Sequence, residues 1–203
     1  MRNKWKTGLI FTMALLGALL ATAAVMQQEQ QSLAGKLIRL HVVANSDAKE
    51  DQILKLQVRD AVLAVTSSVA QDNDEIEEKL KMMLPEIKQA AEDCLRRHGS
   101  MDTVRVSFGD ERFPTRYYDN FALPAGVYRS LRVTIGEGQG QNWWCVVFPS
   151  ICFLATAAEM EEAAQVAGLT EGEIRLITEA QDRYALKFKS LELLQQIKQK
   201  LLG

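Results

Sequence analysis

From Leu37 to Ala44 the chain alternates, with Ile38, Leu40 and Val42 on one side and Arg39 and His41 on the other, the period-two pattern of a strand. Asn45-Ser46-Asp47 ends it. Asp47 followed by Glu50 has the form of a capping box, and Leu54, Val58, Ala61, Val62, Val65 and Val69 then recur at helical spacing, a helix of about five turns. A second stripe of Ile76, Leu80, Leu84, Ile87, Ala91 and Leu95 follows the acidic run Asp72 to Glu75 and passes through Pro85, which must kink or restart the helix. Cys94 falls beside this stripe and reads as a buried thiol. Arg96-Arg97-His98 before Gly99 is a helix stop, and Thr103 to Phe108 alternates again.

Gly109 to Gly126 reads as a long connection holding Phe113, Tyr117, Tyr118 and Phe121, either a lid folded onto the sheet or a partner-binding surface. Val127 to Ile135 alternates and predicts a strand with one wet face. Gly136, Gly138 and Gly140 then supply a tight connection to a strand from Trp143 to Phe148, expected to pair antiparallel with its predecessor. This last strand does not alternate, which predicts a central strand covered on both faces. Its neighbours Trp143 and Trp144 must face opposite sides: both in the core, or one at a partner surface.

After Leu154, Thr156 and Glu159 form a second capping box for a helix closed by Gly168. Residues 170 to 182 are ambiguous; Arg183 to Lys189 alternates as a strand, and Ser190 caps a last helix. This order predicts a single α+β domain over residues 37–203, a mainly antiparallel sheet with helices packed on it.

Composition changes the picture at the amino terminus. Arg2, Lys4 and Lys6 precede an uncharged apolar run from Gly8 to Val25 that includes Ala21-Thr22-Ala23, an export signal within residues 1–26. Cleavage after Ala23 fits the small-residue pattern, while an apolar run of this length also serves as an uncleaved membrane anchor, so residues 8–25 are expected to associate with a membrane at least transiently. The positive flank predicts that the remainder is sent across. Residues 27–36, polar and glutamine-rich, are expected to be a mobile tether. Removing residues 1–23 takes Arg2, Lys4 and Lys6 from 24 basic residues and none from 26 acidic ones, for a net charge of −5. With no basic stripe and no interleaved aromatics, nucleic acid is not an expected partner.

Cys145 and Cys152 would lie roughly 23 Å apart on an extended chain, whereas a disulfide needs Cα atoms about 5.5 Å apart, so a bond requires the chain to fold back. Pro149-Ser150 supplies a turn, and the pair reads as a small disulfide-closed loop; two buried thiols are the alternative. Export favours the bond.

Candidate chemistry is sparse. His98 is accounted for at a helix end, leaving His41 as a lone strand histidine, and the apolar flanks of Cys145 and Cys152 disfavour a thiolate nucleophile. No Gly-x-Ser-x-Gly elbow, His-Glu-x-x-His helix or spaced set of Cys and His ligands is present. The Gly136-x-Gly138-x-Gly140 run lacks the following helix and the Lys-Ser or Lys-Thr pair of a phosphate loop. No catalytic residue, metal site or cofactor is assigned.

Two separated segments nonetheless carry a resemblance. Ile38 to Asp47 (IRLHVVANSD), and Phe113-Pro114-Thr115, Leu123 to Tyr128 (LPAGVY), Gly138-x-Gly140-x-Asn142-Trp143-Trp144-Cys145-Val146-Val147-Phe148-Pro149 and Cys152-Phe153-Leu154, are similar in kind and order to the stage II sporulation protein R family of endospore-forming bacteria. The resemblance implies a non-catalytic signal, made in the forespore and exported into the space between the forespore and mother-cell membranes. There it would activate a membrane-embedded aspartic-type protease of the mother cell that processes pro-sigma-E. The expected contact surface is Tyr117, Tyr118 and Asn120 with Asn142, Trp143 and Trp144. Two readings of other classes stand beside it: an exported cell-wall hydrolase using His41 or a carboxylate as base, and a passive envelope-binding module.

Overall fold

The computed structural model describes residues 4–67, 75–118, 121–151 and 156–178. In chain order they form α1 (Lys4–Lys36), β1 (Ile38–Val43), α2 (Lys49–Thr66), α3 (Ile76–Met82), α4 (Leu84–Arg97), β2 (Val104–Phe113), β3 (Arg116–Tyr117), β4 (Ala122–Leu123), β5 (Gly126–Ile135), β6 (Asn142–Phe148), α5 (Ala157–Val166) and α6 (Glu171–Thr178). The strand expected at Arg183–Lys189, the helix expected from Ser190, Asn120 and Cys152 lie outside the described residues.

One four-stranded sheet runs in the order β2-β5-β1-β6, with β3 and β4 forming a separate hairpin. The fold is α+β and the sheet is mixed: β2 with β5 and β1 with β6 are antiparallel, whereas β1 runs parallel to β5. This corrects two expectations. β5 and β6 do not pair, because β1 lies between them, and among the described residues β6 has a strand neighbour on one side only rather than lying at the centre. Its apolar run from Cys145 to Phe148 is buried because elements pack on both of its faces.

The glycine-rich connection therefore straddles the end of β1 instead of closing a hairpin. Gly140 N–H donates to the Ala44 carbonyl and Gln139 N–H to that of Asn45, each at 3.0 Å. Gly136 and Gly138 adopt φ of +53° and +68°, and a Cβ at Gly140 would fall inside contact distance of the Ser46 carbonyl oxygen, so side chains are excluded from this crossing. Asp47 does not cap α2, whose N-cap is Ala48; its carboxylate accepts from Gln141 N–H at 2.9 Å and ties the same crossing.

Each face of the sheet supports its own core. Leu40, Val42, Leu131, Val133, Cys145 and Val147 meet Val58 and Val62 of α2, Leu80 of α3 and Ile87, Ala91 and Leu95 of α4. The expected break at Pro85 is present: α3 ends before Met83 and α4 restarts with the proline in its first turn. The opposite face carries Val146, Tyr128 and Phe113 against Leu33 of α1, the β3–β4 hairpin and residues from α5 and α6.

Two stretches differ from the sequence reading on this second face. Residues 27–36 are the last turns of α1, not a mobile tether: Leu33 is fully buried, Gln30 donates to the Ala125 carbonyl, and Lys36 and Ser32 bond the buried carboxylate of Glu173 at 2.7 Å each. Polar composition hid a helical end whose buried positions, Gln30, Leu33 and Ala34, are spaced i, i+3 and i+4 on one face. Glu173 in turn closes a capping box with Thr170 and starts α6, in the stretch left ambiguous above. Upstream, the side chains of Leu9, Phe11, Leu16 and Leu20 are exposed, and Leu9–Lys36 is long and apolar enough to cross a membrane by length and composition.

Candidate functional site

The polar side of β1 is not wet. All six residues of β1 are buried, so Arg39 and His41 point into the second core rather than to solvent. Sequence places β2 only to Phe108, but the strand continues to Phe113, and that extension carries Glu111 beside the small, buried Ser130 of β5. From there the Glu111 carboxylate reaches His41: Oε1 lies 2.7 Å from Nδ1, Ser130 Oγ donates to Oε2 at 2.8 Å, and Arg132 Nη1 donates to Oε1 at 3.0 Å. On its other side, His41 Nε2 meets Asn142 Oδ1 of β6 at 2.7 Å. Trp144, the cross-strand neighbour of His41, stacks on the imidazole at 3.8 Å with the planes 17° apart.

A carboxylate can only accept, so His41 Nδ1 carries a proton. Nε2 then faces the Asn142 amide, which accepts from an imidazolium through its oxygen or, with its ends exchanged, donates to the neutral ring. Burial pushes the Glu111 carboxyl up, but the hydrogen bonds from His41 and Ser130 and the charges of His41 and Arg132 outweigh it and hold the group below the usual carboxylate range. A Glu-His pair is the start of general-base chemistry, yet this imidazole has both nitrogens occupied and one face covered by indole. Its evident work is to join β2, β1 and β6 across the sheet.

Arg39 is the stranger residue. Fully buried, it donates from Nε to the Cys145 carbonyl at 3.1 Å and from Nη2 to the Tyr118 hydroxyl at 2.9 Å, and its guanidinium lies 4.3 Å from the Phe113 ring centre and 5.0 Å from that of Tyr128. Nη1 has no partner. A buried unpaired donor costs about 1–3 kcal/mol, more on a charged group, and cation–π contact offsets about 0.5–2 kcal/mol of it. Arg116 lies over the Trp144 ring at 5.1 Å, and its Nε and the Trp144 Nε1 are also buried without hydrogen-bond partners among the described residues.

The expected contact residues divide. Tyr118, Asn142 and Trp144 come together: the Tyr118 hydroxyl donates to the Trp144 carbonyl at 3.3 Å, and Trp144 and Asn142 share His41. Tyr118 stacks on Phe121 at 4.4 Å, so the aromatic connection is folded onto the sheet, with Tyr117 exposed on its outer edge. Trp143 points to the other face, beneath the Arg59 guanidinium at 4.5 Å, and is not part of a surface with Trp144. Cys145 is buried on that same face. Glu111, Arg39 and Arg116 are the residues the sequence reading missed. The one available signal was Arg39 itself, a permanent charge in a strand whose other residues, His41 apart, are apolar.

The end of the first quoted segment is tied both to α2 and to the glycine crossing. Asn45 Nδ2 and Ser46 Oγ donate to Asp51 at 3.0 and 2.6 Å, and Asn45 Oδ1 accepts from Glu137 N–H of the glycine crossing at 3.0 Å. The Ser46 bond leads the interactions that hold the Asp51 carboxyl below its usual range; burial opposes it, and the Asn45 bond adds to the lowering.

A family model described as stage II sporulation protein R matches residues 34–158, a span that begins in the packed end of α1 and runs into α5. Stage II sporulation protein R of Bacillus subtilis (strain 168) is 39% identical over 150 residues, covering 72% of this chain and 67% of that protein. No solved structure matches.

Proposed function

The chain belongs to the stage II sporulation protein R family, and on that premise we propose that it is an exported signal of endospore formation. In this reading the folded part lies outside the membrane that bounds the compartment of synthesis and switches on a membrane-embedded aspartic-type protease, which then processes pro-sigma-E. The observation that carries it is α1, whose exposed apolar segment continues without a break into turns packed on the domain. A helix of 33 residues is about 50 Å long, so an uncleaved span would hold the sheet close to the bilayer surface, where a membrane-embedded partner presents its outer loops. Cleavage after Ala23 would still leave the docked turns around Leu33 in place.

Such a ligand acts by preferring the active state of its receptor, and turning a receptor from mostly off to mostly on takes about 5 kcal/mol of differential affinity. If the protease is a dimer with one aspartate from each subunit, the ligand can orient the two. The contact surface we propose is the Tyr117–Tyr118 hairpin with Asn142 and Trp144, and the rigid frame beneath it includes a Cys145–Cys152 bond.

The test places the purified full chain on the outer face of vesicles holding the candidate protease, with pro-sigma-E on the inner side. Cleavage that begins on addition supports the reading; no cleavage by a protease active in a positive control overturns it. The His41–Glu111 contact favours one competing reading, an exported cell-wall hydrolase, which predicts turnover of purified peptidoglycan that a His41→Ala variant loses.

A further inference from the structure

Among the described residues, four buried side-chain nitrogens lack a hydrogen-bond partner, and three of them, on Arg39, Arg116 and Trp144, belong to one cluster. Phe113 links its parts, with the Arg39 guanidinium over its face and Trp144 meeting it edge-on at 4.8 Å. Two of the three side chains are permanent cations, and neither takes part in an ion pair among the described residues. Glu111, which bonds His41 on this face, is turned to His41, Ser130 and Arg132 instead. What Arg39 holds is the neutral hydroxyl of Tyr118, which also lies in the field of Arg116.

Donors thus outnumber acceptors in a place where water is scarce. A guanidinium fork matches the two oxygens of a carboxylate, and the indole N–H and a second guanidinium complete a set that an anion satisfies and a hydroxyl does not. Arg39 forms the closed floor, while Arg116, Tyr118 and Trp144 are each only partly buried and form the side open to solvent. We propose that this cluster receives a carboxylate carried by an exposed acidic segment of the protein partner, which enters past Arg116 and Trp144 and displaces the Tyr118 hydroxyl from Arg39. The assignment rests on the reading of this face as the partner-binding surface and names the chemistry that surface selects.

The experiment uses the full chain in detergent micelles, labelled with 15N in arginine and tryptophan, titrated with a blocked hexapeptide of glycine and glutamate, its glutamine counterpart, and sodium acetate. The glutamate peptide is expected to move the Trp144 indole and Arg116 Nε–H signals saturably while the Trp143 indole, on the opposite face, stays still. The glutamine peptide and acetate should bind at least about tenfold more weakly, and Arg116→Gln should weaken the glutamate peptide by about tenfold or more without moving the Trp143 signal. Unmoved signals, or an equal response to the glutamine peptide, would overturn the proposal and leave these donors to water. Acetate binding as tightly as the peptide would also overturn it, in favour of a site for free small carboxylates. No protease enters this assay, so its failure and failure of the pro-sigma-E cleavage assay are separate results.

Discussion

Glu111 and His41 meet at 2.7 Å although a whole strand, β5, separates the strands that carry them. The contact exists because Ser130, between them, is small enough to pass the carboxylate over and adds a hydrogen bond of its own. With Asn142 on the far side of the ring, the chain Glu111–His41–Asn142 links three of the four strands through side chains alone.

Glu111→Gln keeps the shape of this link and removes its charge. Stability is expected to fall by about 1–3 kcal/mol at neutral pH, read by chemical denaturation. The Glu111 carboxyl is held below its unfolded value, so its contribution is complete above that value, near 4.5, and disappears as pH falls through the folded one. The variant should therefore show a shallower loss of stability than the parent below about pH 4.5. Parallel acid limbs would contradict the assignment.

Leu33→Ala removes a fully buried side chain at the docked end of α1 and should cost about 2–5 kcal/mol in denaturant unfolding. Leu16→Ala, in the exposed apolar segment, should leave the unfolding of the domain unchanged within about 0.5 kcal/mol. If the two behave alike, the end of α1 is not part of the folded unit.

At the glycine crossing, Gly140→Ala puts a methyl group against the Ser46 carbonyl and should lower the melting temperature by several degrees or prevent folding. Gly109→Ala in β2, where an added Cβ meets nothing within 4 Å, is expected to be neutral within about 0.5 kcal/mol.

Thiol titration of the unfolded, unreduced chain tests the proposed Cys145–Cys152 bond. Of the three cysteines, one reactive thiol is expected, from Cys94. Burial pushes the Cys94 thiol up, so in the native protein at neutral pH it should react slowly, and unfolding should release it. Three reactive thiols would remove the bond from the account.

Local periodicity was enough to find β1, α2, the break at Pro85, the box at Thr156 and Glu159 and the opposite facing of Trp143 and Trp144, because each depends on side chains within a few residues of one another. The two quoted segments were likewise sufficient for the family. Strand order was another matter: the same glycines that suit a hairpin also suit a crossing over an inserted strand, and only the hydrogen bonds to Ala44 and Asn45 distinguish them. The environment of Arg39 and His41 was equally out of reach, since a polar residue alternating with apolar ones looks the same whether it faces water or a second core. Phe113, Tyr128 and Leu33 build that core from positions scattered along the chain, and their arrival, a consequence of long-range packing, turned the polar side of a strand into a buried site.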